Sequence, residues 1–200
     1  DEESEITYLE LTEPDVAGDT LVDLPAGIEG VLLGDRVLCW DAPDRLYRSG
    51  FFGRPLSGRE DVGDAGAVQV SLVEAAYLAD RGTLAVDGGT DAVVACGRDV
   101  EGERFDRRLA AYTRLRERGV VPKTGFKFGA DFRTYASVDS VDDLGHSELL
   151  VRALSAAHAF VPRDLALDVR LAHGVRKQMV YSLVADGEVV DWVAVGRLTP

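Results

Sequence analysis

Near the C-terminus two apolar runs, Met179–Ala185 and Val189–Val195, flank the tripeptide Asp186-Gly187-Glu188. An Asp-Gly step between two such runs is a strong local signal for a β-hairpin. The end of the chain must therefore build a sheet. The last run carries Trp192 and is the final apolar segment of the sequence, so it is expected to pair with its twin across a two-fold axis and hide an exposed strand edge. With 46% hydrophobic residues in 200, the chain can bury one large core or two small ones. No run approaches the roughly 18–20 apolar residues that span a bilayer. The acidic start, Asp1-Glu2-Glu3-Ser4-Glu5, argues against a secretory or transit segment.

Upstream, residues 6–56 are expected to form short β segments. Ile28–Leu38 is expected to be a hairpin turning at Gly34-Asp35, Arg54–Gly58 a turn, and Arg59–Ala67 an acidic, glycine-rich loop. Ser71-x-x-Glu74 is a capping box that starts a helix ending at Gly82. A second helix is expected over 103–118, with Phe105, Leu109, Tyr112 and Leu115 on one face and Gly119 as its stop. Val120-Val121-Pro122 reads as a linker, 125–135 as strand-turn-strand, and 146–154 as a strand. Pro162 suits the first turn of a helix running to about Lys177, although the alternation Leu165, Leu167, Val169, Leu171 also fits a strand. The fold class expected is α+β or mixed α/β: a small N-terminal mixed α/β domain over 1–119, then a C-terminal domain over 120–200 with a mixed β-sheet flanked by helices.

The formal charge of −13 argues against a nucleic-acid partner, but its distribution changes the inference. Residues 120–200 hold nine Lys+Arg against ten Asp+Glu, so nearly all the excess acid lies in residues 1–119. Lys123, Lys127 and Lys177 are the only lysines among 22 basic residues. A very acidic, lysine-poor chain suggests a cell with high internal salt, where carboxylate repulsion is screened. Cys39 and Cys96 have no Cys or His partners at zinc-ligand spacing. They are read as small apolar residues, which fits a reducing cytoplasm.

Three ordered blocks carry the chemistry. They are Lys123–Tyr135 (KTGFKFGADFRTY), His146–Val151 (HSELLV) and Arg170–Lys177 (RLAHGVRK). Together they resemble the catalytic domain of archaeal-type tRNA-splicing endonucleases, and Ser71–Leu78 resembles a block of their N-terminal domain. The resemblance covers about residues 28–200. It implies cleavage of precursor tRNA at intron boundaries within a bulge-helix-bulge, leaving a 2′,3′-cyclic phosphate and a 5′-hydroxyl, with no metal and no cofactor. Such a reaction needs a base for the 2′-OH, an acid for the leaving 5′ oxygen and a cation for the charged phosphorane. The resemblance assigns these roles to Tyr135, His146 and Lys177 respectively. A tyrosine base is awkward because its reference pKa is about 10, and a neighbouring Lys177 cation would lower it. His158 and His173 compete for the acid role. His158 lies in an alanine-rich run, and His173 is expected to act only behind Lys177. Taken singly, each residue has a plainer explanation: a packing tyrosine, a surface histidine, a lysine complementing a helix dipole.

The resemblance further implies that Arg170 and Arg197 sandwich a flipped-out bulge base by cation–π stacking, which tolerates any base. Arg176, Arg133 and Lys127 are candidate phosphate ligands. Two alternatives stand beside the catalytic unit: a non-catalytic structural or RNA-binding subunit of the same assembly, and a metal-dependent nuclease. No cluster of carboxylates and histidines at metal-ligand spacing accompanies the triad in the sequence. Family enzymes present two sites to one RNA. The chain is therefore expected to form a homo-oligomer, to join a structural subunit, or to be the second half of a fused chain; the absence of an initiator Met favours the last. The acidic hairpin tip Asp186-Gly187-Glu188 is a candidate for the loop that docks one unit on another, and plain turn chemistry explains it equally well.

Overall fold

The computed structural model describes residues 8–42, 44–56 and 66–198, apart from the Asp143 side chain. The acidic start, Ser57-Gly58 of the expected turn and most of the loop expected over Arg59–Ala67 lie outside these residues. In chain order the first elements are β1 (Tyr8–Thr12), β2 (Ile28–Glu29), β3 (Val31–Leu32), β4 (Arg36–Cys39), α1 (Asp44–Tyr47), β5 (Arg54–Pro55), β6 (Val68–Ser71) and α2 (Leu72–Asp80). There follow β7 (Leu84–Ala85), α3 (Gly89–Glu101), α4 (Glu103–Glu117), β8 (Val121–Thr124), β9 (Phe132–Tyr135), β10 (Leu149–Ser155), α5 (Pro162–Gly174), β11 (Gln178–Ala185) and β12 (Glu188–Leu198).

The larger sheet has the order β1-β12-β11-β10-β9-β8, with β10 and β11 parallel and all other pairs antiparallel. Helix α5 makes the crossover that a parallel pair requires. Helix α4 packs on one face of this sheet and α5 on the other. Successive side chains along β11 therefore enter different cores. Val180 joins the core that also holds Phe105, Tyr112 and Leu115 of α4, whereas Met179 and Tyr181 join Val169 and Ala172 of α5. Burial on both faces explains why this strand reads as a continuous apolar run. The N-terminal part forms a four-stranded sheet, β3-β4-β6-β5, and a parallel pair, β2-β7, against α2, with α3 packed on α2 and α4. The mixed α/β class with a helix-flanked sheet is thus as expected.

Helix α2 begins where the capping box places it. The Ser71 hydroxyl accepts the Glu74 N–H at 3.3 Å, and the Glu74 carboxylate accepts the Ser71 N–H at 2.9 Å. The other Glu74 oxygen accepts the Gly53 N–H at 3.0 Å and a bond from Lys123 Nζ at 3.1 Å. Lys123 also donates to the Phe51 and Gly53 carbonyls, at 3.1 and 2.8 Å. This buried pair ties α2 to β8. Burial alone would raise the Glu74 carboxyl; the Lys123 ammonium and the donors from Ser71 and Gly53 outweigh it and hold it at about 2. Burial pulls the Lys123 ammonium down as well, so the gain of the pair lies on the carboxylate side.

Several expectations need correction. Val121 and Pro122 are not a linker but the edge strand β8, where proline loses no ladder bond that matters. Of the expected 28–38 hairpin, only Val31–Leu38 pairs across the turn; Ile28–Glu29 runs parallel to Leu84–Ala85. Helix α5 stops at Gly174, so Lys177 lies beyond it, and the strand alternative for 165–171 is excluded. The strand expected from residue 146 starts at Leu149. Strand β12 is not a free edge for a twin, because β1 already pairs along it from Tyr8↔Leu198 to Thr12↔Ala194. The hairpin tip is exposed, with Asp186 and Gly187 both at positive φ, 50° and 80°, and it borders a groove shared with Arg98 of α3 and Arg114 of α4.

Candidate active site

Three chain segments meet at one end of the larger sheet. Strand β9 ends at Tyr135, and the Thr134 carbonyl accepts the Glu148 N–H at 3.3 Å. The Glu148 carbonyl in turn accepts the Gln178 N–H at 3.0 Å. Residues 146–148 are thus pinned between the end of β9 and the start of β11. This brings Tyr135, His146 and Lys177, distant in sequence, onto adjacent strands of chain.

Lys177 is positioned by the end of α5. The helix closes through Val175, Arg176 and Lys177 N–H groups donating to Ala172 and His173 carbonyls, at 2.9–3.1 Å. Arg176 turns the chain at φ 56°, a left-handed conformation that costs a non-glycine residue about 1–2 kcal/mol. Backbone strain of this kind gathers at functional sites. Beyond it the half-buried Lys177 Nζ donates to the Ser147 carbonyl, directly beside His146. Burial, and then the positive charge of Arg133, pulls the Lys177 ammonium below the ordinary lysine range.

A cavity of about 400 Å³ opens here, lined among others by His146, Glu148, His173, Arg176, Lys177 and Arg197. The imidazole of His146 is exposed, as are Arg176 and Arg197. Four of the six residues singled out from the sequence therefore share one cavity. Tyr135 does not line it: its side chain is buried, 6% exposed, with its ring edge-on to Phe51 at 5.7 Å and the Arg133 guanidinium 5.7 Å from its centroid. Arg170 is exposed on α5 and is likewise not among the lining residues. His173, expected behind Lys177, lines the cavity itself. So does Glu148, which lies inside the His146–Val151 block but to which no role was assigned from the sequence.

Chemically the cavity offers two imidazoles, one ammonium and two guanidinium groups against the single carboxylate of Glu148. That set suits a negatively charged substrate undergoing proton transfer. Among the described residues no helix is long and apolar enough to cross a membrane.

Residues 105–192 match the tRNA intron endonuclease catalytic C-terminal domain, and residues 28–94 match the N-terminal domain of the same family. The chain is 64% identical over 200 residues to the tRNA-splicing endonuclease of Natronomonas pharaonis and 63% identical over 201 residues to that of Haloarcula marismortui. In both cases all of this chain and 58% of the relative are covered. The tRNA-splicing endonuclease of Methanococcoides burtonii is 38% identical over 208 residues, with 99% of this chain and 57% of the relative covered. The chain thus spans a little over half the length of the curated relatives it matches. It belongs to the tRNA intron endonuclease family.

Proposed function

We propose that this chain carries a catalytic unit that cleaves precursor tRNA at intron boundaries in a bulge-helix-bulge, by attack of the RNA 2′-OH on the adjacent phosphorus. The observation that carries this is the shared cavity of His146 and Lys177, in which the Lys177 ammonium is bonded to the carbonyl next to His146. In the step, the 2′ oxygen forms a bond to phosphorus and the bond from phosphorus to the 5′ oxygen breaks. The 2′-OH proton goes to the base, a role the family resemblance gives to Tyr135, whose ring is buried beside this cavity rather than lining it, and His146 protonates the leaving 5′ oxygen. Lys177 and Arg176 face the charge that builds on the phosphorane. No metal enters this scheme.

Arg197, on the cavity rim, and Arg170, on the outer side of α5, are assigned to gripping a bulge base. The N-terminal part to residue 119 supports the catalytic part from residue 120, and a second unit, in the same or another chain, supplies the other site; the acidic tip at Asp186-Gly187-Glu188 is a candidate docking loop. The high-salt cytoplasm suggested by composition fits the haloarchaeal sources of the relatives with 63–64% identity. The test is His146→Ala in the intact protein. Cleavage should fall by the roughly 10²–10⁴-fold typical of a general acid, with RNA affinity within threefold of wild type. Cleavage within threefold of wild type would remove His146 from the mechanism.

A further inference from the structure

A second cavity, of about 490 Å³, lies beyond Tyr135 and is lined among others by Tyr47, Phe51, Arg54, Gln69, Lys123 and Arg133. Phe51 links it to the catalytic side, since the ring that packs on Tyr135 at 5.7 Å also lies 4.7 Å from the Lys123 ammonium. Lys123 and Arg133 stand directly opposite each other on β8 and β9. Like charges in that relation repel. Lys123 is compensated by Glu74 and two carbonyls, as described above. Among the described residues Arg133 is not: its buried Nε has no hydrogen-bond partner there, and no described carboxylate forms an ion pair with it. After burial, the Arg133 charge is what lowers the Lys177 ammonium; at Lys123 it adds only a smaller lowering, behind burial and Arg116.

An anion in the cavity would resolve this. Phosphate oxygens match the planar donors of a guanidinium, and exposed Arg54 on the same wall adds a second charge. The aromatic rings of Tyr47 and Phe51 are buried, 8% and 6% exposed, so they offer no open face for stacking a base. We propose that the cavity at Arg133 and Arg54 is a second RNA subsite, which holds a non-reacting backbone phosphate neighbouring the one cleaved beside His146 and Lys177. This rests on the function proposed above and adds a residue, Arg133, that grips substrate without taking part in bond breaking.

The test uses the intact protein with inorganic phosphate as probe at constant KCl, and a bulge-containing RNA as substrate. Phosphate should raise the melting temperature of the wild type, and should still raise that of Arg176→Ala/Lys177→Ala, in which the catalytic cavity has lost its cations; the rise in Arg133→Gln should be clearly smaller than in the wild type. With RNA, Arg133→Gln should raise KM about tenfold, the loss expected from a hydrogen-bonded charge pair, with kcat within threefold. Arg133→Lys, which keeps the charge and loses the fork, should fall between. An unchanged KM in a folded Arg133→Gln, or no phosphate effect on the wild type, would overturn the subsite. A smaller particle in Arg133→Gln with phosphate binding retained would also overturn it, and would assign the cavity to a carboxylate of a partner subunit. If the wild type failed to cleave the RNA at all, the proposed function would fall while the phosphate shifts still reported on the cavity.

Discussion

Replacing Glu74 by glutamine probes the buried pair that joins α2 to β8. The carboxyl is held at about 2 against an ordinary 4.5, with Lys123 and the Ser71 and Gly53 donors overcoming the effect of burial. At about 1.4 kcal/mol per unit, ionised Glu74 contributes about 3 kcal/mol to folding. The folded value lies below the unfolded one. The contribution is therefore complete above about pH 4.5 and is lost as the pH falls from there towards 2. Burial pulls the Lys123 ammonium down, and the Glu74 charge opposes that shift. Near neutrality, glutamine also leaves Lys123 with carbonyl partners alone, and breaking a buried pair on one side costs about 3–5 kcal/mol. Urea unfolding at fixed molar KCl, from pH 2.5 to 7, measures the gap between wild type and Glu74→Gln; salt screens a buried pair weakly. The gap should be about 3 kcal/mol or more at pH 6–7 and should narrow steadily below pH 4.5. Parallel stability curves across the whole range would refute the assignment of the low carboxyl value to this pair. The double variant Glu74→Gln/Lys123→Met should recover part of the loss, since it leaves no charge unpaired.

Gly97→Ala should destabilise the protein by about 2 kcal/mol, because a methyl there would meet the Phe105 ring at 2.2–2.4 Å and that ring is fully buried in the core. Alanine's better helix propensity favours the variant by about 1 kcal/mol, so equal or higher stability in urea would show that α3 and α4 part easily. Arg197→Ala and Arg170→Ala should each raise KM for a bulge-containing RNA about tenfold, as loss of base stacking does, with the double variant costing less than the product of the two. A wild-type KM for Arg170→Ala would leave the grip to Arg197 alone.

Local chemistry made some elements legible in the sequence. Ser71 and Glu74 specify the start of α2 within one turn, and Asp186-Gly187 specifies the β11–β12 turn through two positive φ angles. Helix α3 carries no such mark: it starts after Gly88 without a side-chain cap and contains Gly97. Strand β1 exists because Leu9 and Leu11 pair with Arg197 and Val195, partners more than 180 residues away that no local pattern can name. At the site, the motifs single out His146 and Lys177, but their proximity depends on the parallel register of β10 and β11, Leu149 opposite Gln178. The burial of Tyr135 depends on Phe51, from another part of the chain. That Arg133 has no acidic partner among the described residues is a property of packing, since carboxylates are plentiful in the sequence.

The most direct measurement is the chemistry of the cut ends. A bulge-containing precursor tRNA, folded in monovalent salt with excess EDTA, is incubated with the intact protein, and both new ends are identified by mass. Attack by the 2′-OH at the His146 and Lys177 cavity predicts full cleavage with a 2′,3′-cyclic phosphate on one product and a 5′-hydroxyl on the other. A 3′-hydroxyl with a 5′-phosphate, or cleavage only when a divalent metal is restored, would contradict it.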